Sequence, residues 1–187
     1  MKTLGVILAG GQGKRMDLKD KGTLQFKGKP LANHVFDRLA PQVDEIIIAG
    51  PNDYGLGVPT VTDPISGFQG PLMGIYAALL WNEDQDNPAS GLITAPIDCP
   101  YTPPDLVKVL LHNQDPLTMR SAYLSDDGQR HPTFALWPRG CLAELKKALI
   151  DDDIRAMKLW IDHIGATEIT YSGKDPLVNF NRPEDMN

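Results

Sequence analysis

A glycine-rich turn with two nearby cations, in residues 8–22, is the part of the sequence best suited to chemistry. It follows an apolar run at residues 4–8, a pattern typical of a buried strand that ends in a turn. Three glycines fall within four residues of the turn: Gly10, Gly11 and Gly13. Glycines let the backbone approach a ligand closely, and the N–H groups of such a turn bind anions. Together with the charges of Arg15 and Lys21, the turn predicts a triphosphate site.

Two better-known glycine patterns fit this turn poorly. A P-loop requires Ser or Thr directly after Gly-Lys, whereas Arg15 follows Lys14 here. A dinucleotide fingerprint requires a third glycine at the position of Met16. The alternative that stays open is a flexible turn whose charges are only solvated.

A single carboxylate follows another predicted strand. Residues 91–95 are apolar and lead into Asp98, which stands between two prolines. In parallel sheets, ligands bind at the carboxyl ends of strands, so we expect Asp98 and the glycine-rich turn at one edge. Mg²⁺ takes hard oxygen ligands and shares them with substrate phosphates, which makes Asp98 a candidate metal ligand. A turn-capping aspartate is the alternative, and Cys99 is interpreted as a small core residue rather than a nucleophile.

Apolar runs separated by turn residues predict the remaining elements. Further strands are expected at residues 46–49, 58–61, 118–123, 132–137, 169–171 and 177–181. Helices are expected at residues 30–39, 75–81, 103–111, 138–150 and 154–164. Thr102 is expected to cap the third of these helices, and the Asp127-Gly128 pair to close a hairpin. Strands that alternate with helices predict a parallel sheet with right-handed crossovers.

Several of these motifs resemble the nucleotidyltransferases that build sugar nucleotides and pterin dinucleotides. The opening pattern is Leu-Ala-Gly-Gly-x-x-x-Arg-Met at residues 8–16, followed by Asp-Lys-Gly at 20–22 and Lys-Gly-Lys-Pro-Leu at 27–31. An Asp-x-Pro motif stands at 98–100, and the sequence Asn-x-Asn-x-Pro-Glu-Asp at 179–185. Together with the short chain, the motifs most closely resemble the molybdenum cofactor guanylyltransferases.

This resemblance implies a three-layer α/β/α Rossmann-like fold with a mostly parallel sheet, and transfer of GMP from Mg-GTP to the phosphate of molybdopterin. Arg15, Lys21 and Asp98 would be catalytic, and Asp98 would also bind Mg²⁺. The implied nucleotide and cofactor contacts are Leu8, Ala9, Gly10, Gly11, Gly13, Lys21, Asp63, Gly70, Pro71, Asp98, Asn179 and Asn181. GTP and molybdopterin, or the molybdenum cofactor, would be the partners. Whether molybdoenzyme-specific chaperones also bind is left open.

Five of these contacts, in three parts of the chain, keep a simpler alternative. Asp63 is interpreted as helping to choose guanine, either by accepting both donors of the guanine edge with one carboxylate or by fixing the loop that pairs with the base. A turn aspartate is the alternative. The second glycine-rich loop, residues 67–74, would lie near the base and sugar, or would only start a helix at Pro71. Asn179 and Asn181 would share a strand face and bind a pterin or complete a metal site, unless they are plain turn residues.

The sequence departs from the family pattern at two positions. Asp17 stands where a glycine is usual, and Ala49 stands where the guanylyltransferases often have an asparagine that touches the nucleotide. Asn52 is a candidate substitute for that asparagine. His131 opens a strand that would face the second substrate, and its role as a site residue or a bystander is left open.

Rival functions follow from the same motifs. A cytidylyltransferase or a sugar-phosphate nucleotidyltransferase would differ only in base or acceptor, although the short chain disfavours most sugar enzymes. A nucleotide-binding regulator without catalysis is the rival of another class. The presence of Arg15, Lys21 and Asp98 together disfavours it, since drift would not keep the charged set.

The composition excludes other classes of function. The chain has 187 residues and a net charge of −6, so it lacks the broad basic face that nucleic acid requires. No stretch approaches the roughly 18 apolar residues of a membrane span. Cys99 and Cys141 are too far apart for a metal pair and, without a signal peptide, favour a cytoplasmic location. The length predicts a single domain, residues 1–187.

Overall fold

The computed structural model describes residues 2–10, 20–65, 70–112, 114 and 119–180. Among the predicted site residues, those outside the described ranges are Gly11, Gly13, Arg15 and Asn181. Asp17 and residues 67–69 of the second glycine-rich loop also lie outside them. Their predicted roles therefore stay predictions.

Strands and helices alternate through the first part of the chain. The strands are β1 (Thr3–Leu8), β2 (Gln25–Phe26), β3 (Lys29–Pro30), β4 (Glu45–Ala49), β5 (Thr60–Val61), β6 (Gly91–Pro96), β7 (Ala122–Asp126), β8 (Gln129–Pro138) and β9 (Thr167–Thr170). The α-helices are α1 (Leu31–Leu39), α2 (Pro71–Glu83), α3 (Leu106–Leu111), α4 (Leu142–Ile150) and α5 (Met157–His163). Short 3-10 turns lie at Lys21–Thr23, Ala40–Gln42 and Arg139–Cys141.

The main sheet has the strand order β5-β4-β1-β6-β8-β7-β9, and β2 and β3 form a separate hairpin. Within the described part of the chain, β5, β4, β1 and β6 run parallel to one another. Only β8 is antiparallel to its neighbours in this sheet, and β9 is parallel to β7. The predicted mostly parallel sheet is confirmed.

Helices cover both faces of the sheet. One layer holds α1 and α3 and packs on the face that carries Ile7 of β1. The other layer holds α2, α4 and α5 and packs on the face that carries Val6. All six residues of β1 are buried, because a parallel strand covered on both faces has no polar side. The three-layer α/β/α arrangement is confirmed.

Some predicted boundaries are wrong for local reasons. The third helix begins at Leu106, not at 103–104. Thr102 does not cap this helix, because its hydroxyl donates to the carbonyl oxygen of Cys99. The strand expected at 118–123 is β7, which begins at Ala122. Residues 177–180 form no strand. The Asp127-Gly128 hairpin turn is confirmed, with positive φ at both residues, as a type I′ turn requires.

No helix among the described residues combines the length and the apolar character needed to cross a bilayer.

Candidate active site

The carboxyl ends of three central strands lie side by side. Leu8 of β1 is paired with Ala49 of β4 and with Pro96 of β6. Just beyond them, the N–H of Ala9 donates to the oxygen of Ala49 at 2.9 Å, and the N–H of Ile97 donates to the oxygen of Leu8 at 3.1 Å. The loops that follow these strands therefore leave the sheet together. The described residues at the two ends of the glycine-rich turn, 8–10 and 20–22, lie at the same edge as Asp98, as expected.

Lys21 and Asp98 are in contact at this edge. The Nζ of Lys21 lies 2.8 Å from Oδ2 of Asp98, although the residues are 77 positions apart. The Asp98 side chain is 14% exposed and that of Lys21 is 35% exposed. A cation and a carboxylate thus meet at the carboxyl ends of the strands, and both keep some exposure through which phosphates and a shared metal ion could reach them.

Asp20 fixes the turn that carries Lys21. Its carboxylate accepts a hydrogen bond from the N–H of Gly22 at 3.0 Å and from the hydroxyl of Tyr54 at 2.8 Å. The side-chain amide of Asn52 donates to the same carboxylate at 2.8 Å. Sequence reasoning missed Tyr54 and assigned Asn52 to the nucleotide. The one signal in the sequence was that Asn52 and Tyr54 come just after the strand that became β4, whose carboxyl end lies at this edge.

Ala49 contributes to the edge through its backbone. The residue is 2% exposed, and its carbonyl oxygen accepts the N–H of Ala9. A Cβ at Gly74 of α2 would lie only 3.1 Å from the Cβ of Ala49. Helix α2 therefore passes close over Ala49, and this position offers no polar side chain to a nucleotide.

Asp63 and the start of α2 flank the same edge. Asp63 follows β5, and the protein around its carboxyl raises its pKa by desolvation although the residue is exposed overall. Gly70 adopts φ 122°, a conformation that favours glycine, and Pro71 is the first residue of α2. Helix α2 begins at Pro71, as the helix-start interpretation of this stretch predicted, so residues 71–74 form the first turn of the helix rather than a loop.

The C-terminal segment runs past Asp98. The N–H of Phe180 donates to the carbonyl oxygen of Asp98 at 2.7 Å. The Phe180 ring packs edge-on against Phe26, with ring centroids 4.9 Å apart, and against Tyr101. Asn179 is exposed next to this bond. The segment thus brings Asn179 to the Asp98 loop without the predicted strand.

Cys99 and His131, two other side chains that could be reactive, lie in different environments. Cys99 is fully buried, and burial raises the pKa of its thiol to about 12, so the interpretation as a core residue rather than a nucleophile is confirmed. His131 lies in β8, at the end of this strand that points towards the carboxyl edge of β6. Burial lowers the pKa of His131, and Asp126 opposes this shift.

The described residues contain no group of three or more His, Cys, Asp or Glu side chains placed to hold a metal ion. Asp98 supplies a partly buried carboxylate at this edge, beside Lys21. Magnesium is commonly bound by one or two carboxylates together with substrate phosphates and water. The donor set therefore fits a metal ion that is shared with a triphosphate, rather than one held by the protein alone.

The sequence matches the model of one protein family, the MobA-like NTP transferase domain, over residues 5–164. The chain belongs to the MobA-like NTP transferase family. As a member of this family the protein is a nucleotidyltransferase, and the edge that joins the glycine-rich turn to Asp98 is its candidate active site. The predicted family is confirmed.

Similar proteins support this MobA-like assignment. A molybdenum cofactor guanylyltransferase from Yersinia pestis (strain Pestoides F) is 39% identical over 97% of this chain and 91% of the relative. The structure of molybdopterin-guanine dinucleotide biosynthesis protein A from Archaeoglobus fulgidus has a TM-score of 0.71 and 19% identity, and covers 98% of this chain and 94% of that one. A Mycobacterium tuberculosis protein in complex with manganese has a TM-score of 0.65 and 17% identity, over 98% and 95% of the two chains. The two structures confirm the fold.

Proposed function

We propose that this MobA-like transferase moves GMP from GTP to the phosphate of molybdopterin, forming molybdopterin guanine dinucleotide and pyrophosphate. The observation that carries the proposal is the contact of Lys21 with Asp98 at 2.8 Å, beside the glycine-rich turn. The base and the acceptor come from the guanylyltransferase relatives, which are 39% identical over nearly the whole chain.

The transfer is a displacement at phosphorus. An oxygen of the molybdopterin phosphate attacks the α-phosphorus of GTP, and a new P–O bond forms. The bond from this phosphorus to the bridging oxygen of the β-phosphate breaks, and its electron pair leaves with pyrophosphate. In-line attack needs positioning and charge stabilisation but no enzyme nucleophile. The buried thiol of Cys99 agrees with a direct transfer.

Three groups would stabilise the leaving pyrophosphate. Lys21 and Arg15 neutralise its growing negative charge, and the backbone N–H groups of residues 10–13 bind its oxygens. Asp98 would hold the Mg²⁺ ion, which when bound neutralises the phosphates and polarises the reacting phosphorus. The nearly buried carboxylate of Asp98 beside Lys21 supports this division of roles.

The two substrates would approach from opposite sides of Asp98. Leu8 and Ala9 would line the nucleotide side with their backbone, and Asp63, Gly70 and Pro71 would lie around the base and sugar. On the other side, Asn179 and Asn181 would contact the pterin. The bond from Phe180 to the oxygen of Asp98 supports this placement of Asn179.

The remaining expectations extend the proposal beyond the site. We expect one domain over residues 1–187, a cytoplasmic location and, as partners besides the two substrates, molybdoenzyme-specific chaperones. These expectations have no bearing on the chemistry of transfer and stay predictions.

Transfer of a labelled nucleotide tests the proposed function directly. The protein is incubated with Mg²⁺, molybdopterin and GTP labelled at its α-phosphate, and CTP, ATP and UTP with the same label serve as parallel reactions. We expect the label in a pterin dinucleotide with GTP only, and release of one pyrophosphate for each dinucleotide. Label transfer from CTP alone would identify a cytidylyltransferase. Binding of GTP without transfer would favour the inactive regulator.

A further inference from the structure

Both oxygens of the Asp20 carboxylate are held by groups from two loops. One oxygen accepts the N–H of Gly22, and the Tyr54 hydroxyl lies 2.8 and 2.9 Å from the two oxygens. Asn52 donates its side-chain amide to Oδ2. Gly22 belongs to the same turn as Lys21, whereas Asn52 and Tyr54 belong to the loop after β4. Asp20 therefore links two loops of the candidate site.

Asp20 also sets the backbone of the Lys21 turn. It stands at the N-cap of the 3-10 turn Lys21–Thr23, and its carbonyl oxygen accepts both the N–H and the hydroxyl of Thr23. Lys21 lies between these anchored residues, and its Nζ reaches Asp98. Asp20 therefore anchors the backbone of the turn from which the Lys21 side chain extends to Asp98.

The Tyr54 ring packs directly on this turn. A Cβ at Gly22 would come within 2.4 Å of the Tyr54 ring and within 2.6 Å of the Ile97 side chain. Glycine is therefore required at position 22 by close packing rather than by its φ angle. Ile97 precedes Asp98, so the Lys21 turn lies between the Tyr54 ring and the Asp98 loop.

The loop after β4 is shaped to present Tyr54. Tyr54 adopts a left-handed backbone with φ 55°, which is uncommon for a residue with a side chain. The Asp53 carboxylate accepts the N–H groups of Gly55 and Gly57 and holds the loop in this form. Burial and the neighbouring Asp20 raise the pKa of Tyr54, so its hydroxyl remains a hydrogen-bond donor. Backbone strain of this kind is typical of functional sites.

We infer that Tyr54, with Asn52, is a positioning residue that acts through the Asp20 carboxylate to place Lys21 in the active site. The inference rests on the proposed function for its kinetic readout. The loop after β4 would then act on the leaving pyrophosphate through the position of Lys21.

The test compares Tyr54→Phe with Tyr123→Phe. Both variants remove a hydroxyl that donates to a carboxylate, since Tyr123 donates to Glu168 at 2.9 Å away from the candidate site. We expect Tyr54→Phe to lower kcat about tenfold, because hydrogen bonds to charged groups are the stronger ones. Tyr123→Phe should leave kcat within about twofold of the wild type. Urea unfolding of both variants separates a loss of stability from a loss of positioning.

A second variant tests the route through Lys21. If Tyr54 acts by placing Lys21, Tyr54→Phe should have little further effect on kcat in a Lys21→Ala background. Equal fold-losses in the wild-type and Lys21→Ala backgrounds would overturn the inference.

Amide exchange of Gly22 provides a readout that needs no activity. Its N–H donates to Asp20, so Tyr54→Phe should speed its exchange, measured by NMR, whereas Tyr123→Phe should not. An unchanged exchange rate in Tyr54→Phe would overturn the network. A wild-type protein that transfers no GMP would instead overturn the proposed function and leave this exchange test valid.

Discussion

The backbone N–H of Phe180 donates to the carbonyl oxygen of Asp98 at 2.7 Å and ties the C-terminal segment to the candidate metal ligand. The segment has a second attachment, because Arg38 contacts both Asp175 at 2.7 Å and the oxygen of Thr102 at 2.9 Å. The loop from Asp98 to Thr102 is therefore held from its outer side by residues far away in the sequence. The position of the Asp98 carboxylate therefore depends on Arg38 and Phe180 as well as on the loop itself.

Phe180→Ala should weaken this attachment. The ring is 6% exposed and packs against Phe26 and Tyr101, so its loss should lower the free energy of unfolding by about 3 kcal/mol. We also expect a lower kcat at a temperature where the variant is fully folded, because the Asp98 loop loses its support. Both alanine and leucine keep the backbone N–H that bonds to Asp98. Phe180→Leu also keeps most of the apolar contact and should recover both values. Urea unfolding and steady-state kinetics measure them.

Asp98→Asn should abolish most catalysis and leave the fold intact. The amide removes the negative charge that would hold Mg²⁺, and loss of one electrostatic stabiliser costs about 10²-fold or more in rate. Stability should change by less than about 1 kcal/mol, since the partner Lys21 is one third exposed. Asp162→Asn is the control, because it breaks an exposed ion pair with Arg130. A folded Asp98→Asn protein with near wild-type turnover would contradict the magnesium role.

Lys21→Ala and Arg15→Ala should each weaken GTP binding or slow transfer, with a smaller effect on guanosine binding. The reason is that both cations are assigned to the phosphates and not to the base. Lys2→Ala is the matched control, since Lys2 pairs with Glu45 at 3.1 Å near the amino end of β1. Calorimetry with GTP and with guanosine gives the comparison. Normal binding and turnover in both site variants would mean that the glycine-rich turn is only structural.

The fold and the placement of Lys21 and Asp98 at one edge of the sheet could be predicted because they follow from regular patterns. Buried strands such as β1 and β6 are continuous apolar runs, and ligands bind at the carboxyl ends of parallel strands. The rule therefore places Lys21 close to Asp98, although it does not predict the ion pair between them. The family resemblance then supplied the chemistry that the pattern alone left open.

The contacts that could not be predicted are made by residues whose backbone conformation is irregular. Leu177-Val178-Asn179 has the composition of a strand, but the N–H of Phe180 bonds to a loop oxygen instead of a neighbouring strand. Tyr54 reaches Asp20 only because its own backbone is left-handed, which nothing in the local composition indicates. Side-chain direction in loops is set by tertiary contacts. The roles of Arg15, Asn179 and Asn181 and the single-domain organisation remain predictions.

His131 should make stability depend on pH in a definite direction. Burial lowers its pKa below the usual value of about 6.5, so the unfolded state binds more protons near this pH. The stabilising contribution is present above the unfolded pKa and is lost as pH falls through the folded one. His131→Gln should therefore lose less stability than the wild type between about pH 7 and pH 5. Urea unfolding at each pH measures the difference.

The kinetics of the same variant address the position of His131. A kcat within about twofold of the wild type at pH 7.5 would identify a bystander at the strand end, as expected for a change remote from the chemistry. A higher KM for molybdopterin with an unchanged kcat would place His131 in the acceptor site. Parallel slopes of stability against pH in both proteins would contradict the assigned effect of burial.

Asp63 should contribute to the choice of GTP. Guanine presents a ring N–H and an amino group side by side, and one carboxylate accepts both, whereas cytosine has no such pair. Asp63 follows β5 and precedes Gly70, and desolvation of its carboxyl raises its pKa although the residue is exposed overall. A site built to pair a polar edge strongly rejects analogues that lack this edge. The alternative is a turn aspartate ahead of Pro64.

Competition between GTP and CTP decides between the two roles of Asp63. The wild type should use GTP by a wide margin, and Asp63→Ala should lose much of that margin while it keeps a comparable maximal rate with the better substrate. Asp53→Ala is not a suitable control, because Asp53 holds the loop that presents Tyr54; Asp162→Ala serves instead. Equal use of both nucleotides by the wild type would contradict the guanylyl assignment. An unchanged preference in Asp63→Ala would contradict only the role given to Asp63.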